Sequence, residues 1–120
     1  MTELLNLEKL RETFDFLVNS MSSYMADCAI MSFHNQRHAP SVKMVVETNT
    51  QFHEFSVTWR TDITQHLLGA TADKERTTEW GAMGIALLLV NQLTEYRYIR
   101  ASARGTGIDF YLSTKSDEIT

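Results

Sequence analysis

The sequence predicts an α+β fold: a four-stranded antiparallel or mixed sheet with a long N-terminal helix and a second apolar helix packed on it, in the order α-β-β-α-α-β-β. Three observations predict it. Apolar residues recur at alternating steps of three and four through the first quarter of the chain. From Val42 the period changes to two, and it does so again from Tyr96. Between these stretches, Gly81 to Val90 runs without a polar side chain.

Residues 2–34 read as one long helix. Leu7, Leu10, Phe14, Leu17, Met21, Tyr24, Cys28 and Met31 draw a single apolar stripe. Thr2 suits the N-cap, and Glu3 the first turn, where the helix dipole favours an acid. About thirty residues exceed the usual globular helix, so a break near Ser22-Ser23 stays open. The stripe serves either core packing against the sheet or a subunit contact.

A polar connector from His34 to Ser41 closes at Pro40, the only proline. Val42, Met44 and Val46 then alternate with Lys43 and Val45, and Phe55, Val57 and Trp59 alternate with Ser56 and Thr58. Two such runs joined by Thr48-Asn49-Thr50-Gln51 predict an antiparallel hairpin. Thr61 or Asp62 can cap a short helix through Leu68, ended by Gly69. The second main helix is expected from Thr77 or Thr78 to about Thr94. Gly81 and Gly84 cost it about 1 kcal/mol each relative to alanine, which the close approach of another backbone would explain. Tyr96–Ser102 and Ile108–Ser113 read as strands about a Gly105-Thr106-Gly107 turn.

The length fits a single domain, residues 1–120, that buries roughly two-thirds of its unfolded surface. Twelve aromatic residues and 43% hydrophobic content argue against disorder. A net charge of −4 argues against non-specific coating of nucleic acid or of an anionic membrane. The single cysteine, Cys28, fits a reducing compartment, and Met1-Thr2-Glu3 lacks the positive region of a signal peptide. The apolar stretch Trp80 to Leu93 is too short to span a bilayer. A cytoplasmic protein with no membrane partner is the expectation.

Few residues carry recognisable chemistry. His34 and His38 are four apart, but no further ligand accompanies them, and no metal site is expected. Cys28 lies in the apolar stripe, where a cysteine serves as a small core residue. Tyr96, Arg97, Tyr98, Arg100 and Arg104 form the only basic and aromatic cluster. It suits a solvated face laced with ion pairs, a protein interface or anion binding, in that order.

Glu79 near the start of the apolar helix, followed by a strand, a glycine turn and Asp109 at the head of the next strand, resembles the PD-(D/E)XK nuclease superfamily. The resemblance covers residues 75–113 and is closest to the Holliday-junction-resolvase-like members. It implies Glu79 and Asp109 as catalytic carboxylates on Mg²⁺, with nucleic acid as partner. It also implies a Glu-x-Lys on a further strand, and only Lys115, Asp117 and Glu118 follow. The site so read is degenerate or incomplete.

Two functions follow from the sequence. The first is a small non-enzymatic protein that acts through contact with another protein or with itself. It would be a subunit of a bacterial complex or an immunity-like inhibitor, and it needs no cofactor. The alternative is the metal-dependent phosphodiesterase resting on Glu79 and Asp109.

Overall fold

A computed structural model of the chain describes residues 2–12, 19–94, 98–101 and 110–113. The elements are β1 (Thr2–Asn6), a 3₁₀ segment (Leu7–Glu12), α1 (Asn19–Asn35), β2 (Val42–Glu47), β3 (Phe52–Thr58), α2 (Gln65–Ala70), α3 (Lys74–Leu93), β4 (Tyr98–Ala101) and β5 (Phe110–Ser113). The fold is α+β, with a mixed three-stranded sheet in the order β1-β3-β2.

The expected N-terminal helix is the main correction. Residues 2–6 are a strand, parallel to β3, with Thr2 opposite Glu54 and Asn6 opposite Thr58. Thr2 is therefore not a helix cap, and the described helix α1 covers Asn19–Asn35. Tertiary context overrides helix propensity here. Only Leu5 of this strand is buried, so no alternation marks it, and its partner lies some fifty residues downstream. Leu7 and Leu10, spaced three apart, suit the 3₁₀ turn as well as the α-helix they resemble. Asn6 Oδ1 accepts from Glu8 N at 3.0 Å and starts that turn.

The hairpin of β2 and β3 forms as expected, with Val42 opposite Val57 and Glu47 opposite Phe52. The four-stranded sheet does not. Among the described residues β4 and β5 pair with each other in a separate antiparallel ladder, Tyr98 opposite Ser113. Periodicity reports that a strand exists and leaves its neighbour unspecified, and strands close in sequence tend to pair.

Both later helices are displaced from their expected bounds. Helix α2 takes Thr64 as its cap, Oγ1 accepting from Leu67 N at 3.1 Å. Helix α3 starts at Lys74, capped by Asp73, whose Oδ1 accepts from Arg76 N at 3.1 Å. Its first turn is exposed and polar, so it lacks the apolar signal that marks the rest.

The helices α1 and α3 pack against each other and against the inner face of the sheet. Leu5, Leu7, Leu10, Met25, Ile30, Phe55, Val57, Trp59, Leu87 and Leu88 are buried between them. The close approach expected at the glycines is present. A Cβ on Gly81 would stand 2.9 Å from Cys28 O and 3.0 Å from Ala29 Cα, and one on Gly84 would stand 3.1 Å from Met25 Cβ. The Ser32 hydroxyl joins the two helices, donating to Cys28 O at 2.8 Å and reaching Thr77 O at 3.3 Å. Of the stripe expected along this helix, Cys28 and Met31 are buried in the core and Met21 and Tyr24 half-buried, while Phe14 and Leu17 lie outside the described residues. Helix α1 ends in a Schellman motif, with Arg37 at φ 64°, Arg37 N donating to His34 O and His38 N to Phe33 O. Among the described residues no helix is long and apolar enough to cross a membrane.

Candidate functional site

Helices pack on the inner face of the sheet, and among the described residues its outer face carries exposed apolar side chains. Residues opposite one another in register share a face. One row of the outer face is therefore Thr2, Glu54 and Val45, the next is Leu4, Ser56 and Lys43, and Phe52 stands opposite Glu47. Leu4, Val45 and Phe52 are 63%, 60% and 71% exposed, a poor use of apolar side chains unless something covers them.

A polar centre lies among these three. Glu54 Oε1 accepts from Thr2 Oγ1 at 2.9 Å and lies 3.2 Å from Lys43 Nζ. The hydrogen bond from Thr2, then the bond and charge of Lys43, hold the Glu54 carboxyl below its ordinary range. The centre of the face therefore carries a carboxylate fixed in place at neutral pH, flanked by one ammonium and ringed by aliphatic and aromatic carbon. Such a face suits contact with a protein surface of matching apolar and basic character.

Two other places were open to function. A cleft of about 450 Å³ lies between the β2–β3 turn and the end of α3, lined by Thr48, Gln51, His53, Leu89, Val90 and Leu93. The His53 ring stacks on Phe55 at 6.3 Å, and its Nδ1 is 3.7 Å from Glu3 Oε2. The second is Glu8, whose Oε2 accepts from Arg60 N at 2.7 Å, Thr61 N at 2.7 Å and Thr61 Oγ1 at 2.6 Å. Burial works to raise its pKa, but these bonds outweigh burial and hold it below the ordinary value. Its Oε1 is buried and takes no hydrogen bond from the described residues. Glu8 ties the 3₁₀ turn to the segment after β3, which is a structural task.

Only some of the residues read from the sequence as chemical candidates lie among the described residues. Glu79 is exposed on α3, in its second turn and not its first. Asp109 lies outside the described residues, so the convergence of the two carboxylates is not described. Tyr96, Arg97 and Arg104 also lie outside them, while Tyr98 and Arg100 occupy β4, in register with Ser113 and Tyr111. His34 and His38 are exposed around the end of α1. Among the described residues no three His, Cys, Asp or Glu side chains are grouped to hold a metal ion. Cys28 is buried, and burial pushes its thiol pKa up, the opposite of what a nucleophile needs.

Sequence reasoning misses the outer face because it places Leu4 in a helix. Its signals in the sequence were Val45, apolar in a slot where the alternation calls for a polar residue, and Phe52, facing away from Phe55 and Val57. No family model, no curated protein and no solved structure matches the chain.

Proposed function

We propose that this protein works through contact with another protein or a second copy of itself rather than by catalysis. It would be a subunit of a bacterial complex or an immunity-like inhibitor, acting in the cytoplasm and without a cofactor. The observation that carries this reading is the outer face of β1-β3-β2, where Leu4, Val45 and Phe52 stand exposed around the Glu54–Lys43 pair. Burying large apolar side chains contributes roughly 1.5–3 kcal/mol each, which gives a partner reason to settle there. The acidic net charge and the fixed carboxylate favour a partner with a basic rim. A buried, unpaired thiol suits a reducing compartment.

The test is site-specific photocrosslinking in the native host, with a benzophenone side chain placed at Phe52 and, as control, at Glu79 on α3. A discrete adduct formed from position 52 and absent from position 79 supports the reading. Equal, diffuse labelling from both positions overturns it.

A further inference from the structure

We infer that β2 is a self-association edge, which pairs antiparallel with β2 of a second copy across a two-fold axis at Val45. The inference rests on the contact reading and names one partner for it. Strand β2 is one of the two edge strands of its sheet, and among the described residues nothing pairs with its free side. The hydrogen-bond phase of that side follows from the hairpin. Thr48 N donates to Gln51 O at 2.9 Å, continuing the register in which Glu47 faces Phe52. In an antiparallel ladder every second residue turns its N–H and C=O toward the neighbouring strand. Counting back from Thr48, residues Val46, Met44 and Val42 bond to β3. Lys43, Val45 and Glu47 therefore aim their backbone groups at the open edge.

These three residues have exposed side chains as well. A two-fold axis through Val45 sets Val45 opposite its own copy, and Lys43 opposite Glu47 of that copy, twice. All three positions are in phase, so each facing pair can exchange two backbone hydrogen bonds. The two charged pairs flank an apolar contact between valines, and cross-strand pairs of opposite charge favour a register. Other in-phase registers lose this match. An axis on Lys43 or on Glu47 would set like charges face to face, and an axis on Met44 or Val46 would set the charges opposite other residues. Neither proline nor glycine interrupts Val42–Glu47 to blunt the edge. The product is a continuous sheet, β1-β3-β2-β2-β3-β1, that joins the two outer faces into one surface.

A competing reading gives Lys43 the ordinary task of an edge charge, which is to keep other strands away. Charge exchange separates the two. In sedimentation velocity over micromolar to submillimolar concentration, the wild-type chain is expected to dimerise. Lys43→Glu and Glu47→Lys should each weaken the dimer roughly ten- to hundredfold, because both facing pairs become repulsive. An equimolar mixture of the two variants should recover a heterodimer by native mass spectrometry, since both facing pairs then unite an acid with a lysine. Circular dichroism checks that each variant is folded. A monomeric wild type, a dimer indifferent to both substitutions, or a mixture that fails to pair would each overturn the inference. The contact reading fails separately: a monomeric wild type that still forms a position-52 adduct with another protein loses the dimer and keeps the face.

Discussion

The replacement Gly81→Ala sets two physical effects against each other, and the structure says which should win. In an exposed helix the change is favourable by about 1 kcal/mol, because alanine loses less backbone entropy than glycine. At Gly81 the added methyl would stand 2.8 Å from Ser32 Oγ, 2.9 Å from Cys28 O and 3.0 Å from Ala29 Cα. Two of those atoms belong to the backbone of α1, so no rotamer change relieves them. The helix must move off α3, loosening the contacts of Met25 and Ile30 with the core and straining the Ser32 bridge to Thr77 O. Overpacking of this kind costs about 1–3 kcal/mol. The net expectation is a loss of up to about 2 kcal/mol, or as much as roughly 8 °C in Tm for a domain of this size.

The companion glycines calibrate the result. Gly69 in α2 has no atom within 4 Å of an added Cβ, so Gly69→Ala should stabilise by about 0.5–1 kcal/mol. At Gly84 the nearest atom, 2.8 Å away, is Leu10 Cδ2, the movable end of a side chain, while Met25 Cβ and O at 3.1 and 3.2 Å need give only a few tenths of an ångström. Gly84→Ala should fall between the other two, near neutral. Urea unfolding followed by circular dichroism gives the order directly, provided the slope m is unchanged among the variants. Gly81→Ala matching the gain of Gly69→Ala would refute the claim that α1 and α3 touch backbone to backbone.

Three further outcomes follow from the buried and charged groups. Glu8→Gln should cost about 1–2 kcal/mol by weakening the acceptor of Arg60 N, Thr61 N and Thr61 Oγ1. Because the folded Glu8 pKa lies below its ordinary value, the wild-type advantage is complete above the unfolded carboxylate pKa of about 4.3, and it shrinks as pH falls through the folded value. Thermal melts of the two proteins should therefore converge in acid. Cys28 should resist a disulfide reagent until the chain is unfolded, since its side chain is buried and its thiolate disfavoured; rapid labelling of the native protein, timed against urea-unfolded chain, would contradict this. Millimolar Mn²⁺ should neither raise Tm nor produce nicking of a DNA substrate, whereas nicking that disappears in Asp109→Ala would favour the nuclease-like alternative.

Local chemistry made some of this fold legible and hid the rest. The hairpin was readable because Val42, Met44 and Val46 face the core opposite Val57, Phe55 and His53, so the period of two survives in both strands. The contact between α1 and α3 was readable because paired glycines in an apolar helix lack a local reason. Strand β1 was not, because its sequence favours helix and its register is set by a partner far along the chain. The start of α3 was lost for a different reason: Asp73 and Arg76 make a cap that hydrophobic periodicity does not record.

The same distinction explains why chemistry-bearing residue types do not point to the proposed contact face. Histidines, the cysteine and the arginine cluster draw notice by reactivity or charge, yet a contact surface is marked by apolar residues in polar slots. Val45 is such a residue, and its position decides more than its exposure does. Were it an exposed valine and nothing else, Lys43 and Glu47 would be unrelated charges on a strand edge. Their equal spacing about Val45, on the β2 residues whose backbone groups face outward, would convert three ordinary positions into a register that is its own complement. In the proposed dimer the outer face and the β2 edge would be coupled. Pairing at the edge would bring the Val45 side chains of two copies together and join the two outer faces. A partner that binds this face across both copies would engage a dimer more tightly than a monomer, because the second set of contacts adds no further loss of translational freedom.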